Sequence, residues 1–343
     1  MVMPVITVAE GSSAYPARIE VSSPLHPREL RSLPHGRCVV QLGSLLSMGE
    51  HELLGTWFAE HPDAELRVYA GLPATLDFLR AYPRLTALTV DSEVTDASGL
   101  AFLPDSLRSL IIDCRLPQPN DLDALARFRS LDTLGLSGIR RLPDSVRGLP
   151  VTKLHLGNVK ILDGLGHLPH LRTLRLRNAS ADLTPLIGLS YLEDLTLAVG
   201  GCGDLGPLAE LSSLRRFSAW LVRGLDDVSP LARLPKLEDA YLSKLRGVDR
   251  LPPLVDAQSL AKVTLEHMRG LSDLGPLRDA PALRLLSLIE MEHLQPEDVA
   301  VLVGHPTLTQ VHIGLGSDRK NLAVRDALRI SGSYGGHPWP PAN

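Results

Sequence analysis

Residues 182–197 read DLTPLIGLSYLEDLTL, and residues 227–242, DVSPLARLPKLEDAYL, follow the same plan. Both join an Asp-x-x-Pro-Leu turn to the apolar frame L-x-x-L-x-L, with Ala240 in the middle place of the second copy. The frame recurs as LTALTV from 85, LRSLII from 107, LDTLGL from 131, VTKLHL from 151 and LRTLRL from 171. It continues as LEDLTL from 192, LRRFSA from 214, LEDAYL from 237, LAKVTL from 260, LRLLSL from 283 and LTQVHI from 308. Successive starts lie 20 to 25 residues apart. Eleven copies in register define a repeat architecture, each copy one supersecondary unit stacked on the next.

The spacing dictates the local chemistry. Within LEDLTL, Leu195 and Leu197 are two apart and share one face of an extended strand, while Asp194 and Thr196 face the other way. A loop and a second apolar group follow, at 181–186 (ADLTPL), 203–208 (GDLGPL), 226–231 (DDVSPL) and 272–277 (SDLGPL). Pro185, Pro207, Pro230 and Pro276 stand where a first helical residue would, with Thr184 and Ser229 placed to cap it. Leu189, Leu211 and Leu234 are soon followed by the next strand, so the helical piece is short. Each unit therefore reads as strand, loop, short helix or 3-10 turn, loop. One unit buries too few leucines to offset the entropy of ordering its own backbone. Neighbours must complete it by stacking and by continuing a parallel ladder. Eleven strands about 4.8 Å apart make a wall about 50 Å long, broad enough for a protein partner.

These segments resemble the leucine-rich repeats of the internalin and phosphatase-regulator type, whose D-[IL]-x-P-L turn they carry, over about 85–320. The resemblance implies an α/β fold, a leucine-rich-repeat solenoid. Its curved parallel β-sheet would form the concave side, with loops and short helices or 3-10 turns on the convex side. For function it implies partner binding without naming the partner. One feature departs from the family, where an asparagine stands three places after the last leucine of the strand. Val159, Ala179, Val222, Leu245, Met268 and Met291 stand there instead, and Asn158 and Asn178 come one residue early. An apolar row is expected in place of the asparagine ladder that satisfies loop amides.

The ends read differently from the middle. Residues 1–36 form an N-terminal capping segment, with 4–9 and 17–22 as a β-hairpin over the open edge. Residues 37–84 hold irregular first repeats, with Val40 and Leu42, then Val68 and Ala70, as inward pairs and an amphipathic helix over 49–61. The regular repeats span 85–316. A capping helix is expected within 317–331, from NLAVRDALR at 321–329, and a Gly/Pro-rich tail occupies 332–343. Trp339 in that tail is read as part of a loose extension.

About a fifth of the 343 residues are leucine, and hydrophobic residues reach 44%, too many for a disordered chain. Net charge is −4, from 35 basic and 39 acidic residues, which argues against nucleic acid as partner. No stretch approaches the ~20 unbroken apolar residues of a membrane span. The N-terminus carries no visible secretory signal, and Cys38, Cys114 and Cys202 form no CxxC; a reduced, cytoplasmic setting is expected.

Apparent enzyme motifs dissolve into the repeat. Gly201, Gly203 and Gly206 spell G-x-G-x-x-G with Asp226 and Asp227 about 20 residues on, but Gly206 aligns with Thr184, Ser229 and Gly275. No crossover helix of a doubly wound sheet fits between the strands. His51-Glu52 would begin a zinc-protease helix only with a histidine at 55, where glycine stands; Gly55 instead reads as a close-packing contact. His167 and His170 belong to a surface turn, and Asn178-Ala-Ser180 is a sequon in form only. No nucleophile–base pair, metal cluster or phosphate loop is visible. Neither enzymatic activity nor a cofactor or metal is expected.

The outward strand positions carry the functional lead. Early strands offer small, nearly uncharged residues: Thr86, Ala87, Thr89, Ser109, Ile111, Thr133 and Gly135. From the middle onward stand Lys153, His155, Arg172, Arg175, Arg177, Asp194, Arg216, Trp220, Asp239 and Tyr241, taken as the partner-binding set. Arginine, tryptophan and tyrosine dominate interface hot spots. Against this stands ordinary cross-strand charge pairing, for instance Arg175 between Asp194 and Lys153. Trp220 has two readings: an exposed anchor, or an indole folded over the poorly filled slot of Ala219. The expectation is a non-catalytic protein-interaction module binding a protein partner on its concave face, with regulation or inhibition of that partner, or immunity against a toxin, as the roles in view. A glycan or polyanion receptor is the alternative, with Glu193, Asp194, Glu238 and Asp239 counting against polyanions.

Overall fold

Period-two alternation buries the apolar frame and leaves the intervening side chains on the opposite face of each strand. The computed structural model describes residues 6–9, 16–31, 33, 36–69, 75–93, 96, 98–113, 119–179 and 182–330. Expectations concerning Ala70, Cys114, Ser180 and the tail with Trp339 fall outside these residues. The chain divides into two units, Met1–Asn158 and Val159–Asn343.

In the first unit, β1 (Ile6–Ala9) pairs antiparallel with β2 (Ala17–Val21). The strand β2 also pairs in parallel with β3 (Cys38–Leu42), so it serves as the first rung of the repeat ladder as well as half of a hairpin. Parallel pairing continues through β4 (Glu65–Tyr69), β5 (Ala87–Asp91), β6 (Ser109–Ile112), β7 (Thr133–Ser137) and β8 (Lys153–Gly157). On β4 the inward pair is Leu66 and Val68, both fully buried. Between the strands lie α1 (Pro27–Leu30) and α2 (Met48–Glu60), then 3-10 turns such as Asp77–Ala81 and Ser98–Phe102. The N-terminus of α2 is fastened by Glu50. Its carboxylate accepts from the Ser47 and Leu25 amides, both at 2.7 Å, and from the Ser47 and Ser23 hydroxyls at 2.7 and 2.9 Å. Burial acts to raise its pKa, yet these hydrogen bonds bring it down to about 2.

The second unit repeats the plan with β9 (Thr173–Arg177), β10 (Asp194–Gly201), β11 (Arg216–Arg223), β12 (Asp239–Ser243), β13 (Lys262–Glu266), β14 (Leu285–Ile289) and β15 (Gln310–Ile313), all parallel and in sequence order. Three short helices accompany them: α3 (Gly275–Arg278), α4 (Pro296–Ala300) and the closing α5 (Asp318–Leu328).

The turns of this unit correct one sequence reading. The 3-10 turns begin at Thr184, Gly206 and Ser229, with proline second, and the cap is the aspartate two residues upstream. Asp182 accepts from the Thr184 amide at 2.9 Å, Asp204 from Gly206 at 2.6 Å and Asp227 from Ser229 at 2.8 Å; Asp273 does the same for Gly275 at 2.7 Å. Thr184 and Ser229 donate their hydroxyls to the same carboxylates instead of capping. An Asx turn closes in two residues what a hydroxyl cap closes in three.

The apolar row is buried as expected: Val159, Ala179, Val222, Leu245, Met268 and Met291 are at most 9% exposed. Met291 even serves as an acceptor, its Sδ 3.3 Å from the Met268 amide. The residue just before each of these marks a sharp bend, and so does Val199 before Gly200. Asn158, Asn178, Val199, Leu221, Lys244, His267 and Glu290 all have φ near +50°. Asparagine tolerates this left-handed geometry, but a β-branched valine does not. Val199 lies inside β10, and the ladder with β11 skips from Ala198↔Trp220 to Gly200↔Val222 around it. Val199→Asn is therefore expected to raise the urea midpoint, by a stabilisation of about 1 kcal/mol. An unchanged or lower midpoint would show that the valine is not strained.

Candidate functional site

The strand face of the second unit is built of three rows, each read across neighbouring strands. The first runs Thr173, Asp194, Arg216, Asp239, Lys262; the second Arg175, Thr196, Ser218, Tyr241, Thr264; the third Arg177, Ala198, Trp220, Ser243, Glu266. Parallel strands in register make each row a line of adjacent side chains.

The first row neutralises itself. Arg216 Nε lies 3.0 Å from Asp194, and Lys262 Nζ lies 2.9 Å from Asp239. Just upstream of the strands, Arg172 pairs with Glu193 and Arg215 with Glu238. Partly exposed pairs of this kind add at most about 1 kcal/mol each to stability. Their larger consequence is that they occupy the charges.

The far end of the face is closed over. Tyr241, Ser243, Thr264 and Glu266 point away from the leucine core yet are at most 9% exposed. The Tyr241 hydroxyl donates to Glu266, whose other oxygen lies 3.9 Å from Lys244. Burial, then the Glu266 carboxylate, pushes the Tyr241 phenol well above its ordinary pKa, so it stays a neutral donor. Tyr241 thus belongs to a buried polar seam rather than to an open surface.

A different patch stays open. Arg175 and Arg177 are exposed, and among the described residues neither takes part in an ion pair. Arg175 stands opposite Thr196, not Asp194, so the cross-strand pair anticipated for it does not form. Beside these arginines Thr196, Ala198 and Ser218 form a half-buried floor, and Trp220 forms a half-buried wall. The slot under Trp220 is filled by Ala219, fully buried, while the indole itself lies on the strand face. At the bend of β11 Leu221 is 37% exposed, and past it Arg223 is exposed.

The two remaining sequence candidates belong to the first unit. Lys153 donates to Asp132 at 3.2 Å, and His155 is half-buried on β8. Of the ten candidates, then, Arg175, Arg177 and Trp220 come together on one open patch. Arg172, Asp194, Arg216 and Asp239 are held in neighbouring pairs.

Other motifs find structural work. The Gly206 amide of the G-x-G-x-x-G stretch is taken by Asp204. His167 and His170 are exposed in their turn. Among the described residues, no group of three or more His, Cys, Asp or Glu side chains is placed to hold a metal ion, and no helix is long and apolar enough to cross a membrane.

No family model and no curated protein matches the sequence. Solved structures do match. An internalin (inlF) from Listeria monocytogenes is similar at 20% identity and TM-score 0.58, over 92% of this chain and 90% of that one. The leucine-rich-repeat protein LIC12759 of Leptospira interrogans is similar at 14% identity and TM-score 0.51, over 91% and 99%. A chain of the Drosophila Toll–Spatzle complex is similar at 13% identity and TM-score 0.58, over 91% of this chain but 45% of that one. With the parallel ladders and leucine-lined coils already described, these likenesses settle the architecture: the chain has the leucine-rich-repeat solenoid fold.

Proposed function

We propose that this protein is a non-catalytic interaction module that holds a protein partner on the strand face of its second unit. One observation carries the reading. Arg175 and Arg177 stand exposed two strands from the half-buried Trp220, with Thr196 and Ala198 on the strand between, whereas Asp194, Arg216, Asp239, Lys262 and Glu266 on the same face are ion-paired. An exposed cation without a protein counter-ion adds little to folding, and arginine and tryptophan on one open face are the composition of an interface centre. Strands hold these groups in place, so little ordering cost is paid on binding. The Toll–Spatzle complex, in which a chain of similar fold takes part in a protein assembly, adds support by analogy of fold. Regulation or inhibition of the partner, including the role of an immunity protein, belongs to this same reading. A cytoplasmic location accords with the buried free thiols of Cys38 and Cys202, both pushed up in pKa by burial.

The test is a pull-down from the native cell extract with the full chain as bait. Arg175→Glu plus Arg177→Glu should leave the far-ultraviolet circular dichroism unchanged and remove most of the bound partner. Undiminished recovery would dismiss this patch. Arg216→Glu is a weaker probe, because it also breaks the pair with Asp194.

A further inference from the structure

We infer that the open patch takes an acidic, extended peptide segment of its partner, carrying carboxylates at alternate positions and one apolar side chain between the arginines and Trp220. This rests on the docking role proposed above and adds the chemistry of what docks.

Arg175 and Arg177 are two residues apart on β9 and both exposed, so their side chains leave the strand about 7 Å apart on one face. An extended segment running alongside the strand presents every second side chain at the same interval. Two carboxylates at positions i and i+2 therefore meet the two guanidiniums in register, each able to form a bidentate pair. A third exposed guanidinium, Arg223, stands two strands away past the bend of β11, and among the described residues no ion pair involves it. In the third row Ala198 stands between Arg177 and Trp220, with Thr196 two residues before it, and side chains this small between larger neighbours make the middle strand the floor of a shallow trough. An apolar side chain laid there covers Ala198 and the indole and shields the arginine pairs from water.

The same geometry disfavours a long polyanion. One row away from Arg175 stand Asp194 and, two strands further along, Asp239, paired with Arg216 and Lys262, so that row offers a uniformly charged chain no free cation. A short acidic segment fits within the cationic patch and avoids both.

The test pans a random twelve-residue peptide library against the full chain at low salt, with the Arg175→Glu, Arg177→Glu protein as counter-selection. Enriched peptides should carry Glu or Asp at i and i+2 next to a Leu, Phe or Trp. Their affinity should fall at least about tenfold in the doubly reversed protein, recover only in part with Arg175→Lys plus Arg177→Lys, which keep the charge but not the bidentate fork, and weaken between 50 and 200 mM salt, over which the Debye length falls from about 14 Å to about 7 Å. Enriched peptides without acidic bias, peptides that bind the reversed protein equally, or no enrichment at all would overturn the inference. A second variant, Ala198→Trp, fills the trough without touching charge. If it abolishes capture of the cellular partner while charge reversal does not, the docking site stands and the acidic chemistry fails. If both variants retain the partner, the docking site itself is wrong.

Discussion

Gly55→Ala is expected to cost the first unit about 2–3 kcal/mol, while Gly49→Ala, in the same helix, is expected to gain about 0.5 kcal/mol. The opposite signs come from surroundings, not from propensity. Alanine is the better helix former at both places. A Cβ on Gly55 would lie 1.9 Å from the Ala81 carbonyl oxygen and 2.9 Å from its carbon, whereas one on Gly49 meets nothing within 4 Å. The obstacle at Gly55 is backbone at the end of the 3-10 turn Asp77–Ala81, so no rotamer change relieves it. Either α2 lifts from that turn, uncovering Leu54 and Phe58, or the turn shifts with Tyr82 behind it. Urea unfolding followed by far-ultraviolet circular dichroism separates the outcomes. Equal midpoints for Gly55→Ala and wild type would mean that α2 does not pack as closely as described.

The role of Gly55 was legible in the sequence, and so was the repeat, because leucine spacing is a long-range signal that no local preference can imitate. Local preferences were a poorer guide. Asn158 and Asn178 advertise the left-handed bend, but Val199, Leu221 and Glu290 adopt it too, since the stacked coils impose the backbone and the residue follows. The caps were misassigned to Thr184 and Ser229 because a hydroxyl and an upstream carboxylate compete for the same amide, and only geometry decides for Asp182 and Asp227. Alternation identified Tyr241 as outward-facing, correctly, but outward is not the same as exposed: it is buried, with its hydroxyl bonded to the equally buried Glu266. Pairing was the other hidden quantity. Arg216 and Arg175 look alike in the sequence; register puts Arg216 against Asp194 and Arg175 against Thr196. That difference of one partner separates a residue of the fold's own charge balance from one with a charge to offer.

Acid is expected to weaken the first unit by about 3 kcal/mol between pH 6.5 and 4, and His51 is the group responsible. Its ring is 4% exposed, stacks on Phe78 with centroids 4.4 Å apart, and places Nδ1 2.9 Å from the Tyr82 hydroxyl. Burial drives its pKa down from 6.5 to about 4, and the nearby Glu50 carboxylate offsets only part of that. Above pH 6.5 the imidazole is neutral in both states and costs nothing. As pH falls below 6.5 the unfolded chain takes up a proton that the folded one refuses, and stability declines until the folded ring also protonates near pH 4. Glu50 acts in a lower window. Its pKa of about 2 against an ordinary 4.5 means that its contribution is present above 4.5 and lost as pH falls towards 2. His305, also buried with a lowered pKa, adds a loss of the same sign in the second unit. His51→Gln keeps a hydrogen-bonding partner for Tyr82 and removes the titration. Urea midpoints at pH 7.5 and 4.5 should therefore differ markedly less in His51→Gln than in wild type, while His305→Gln leaves the decline of the first unit intact. An identical decline in His51→Gln and wild type would place the acid sensitivity elsewhere.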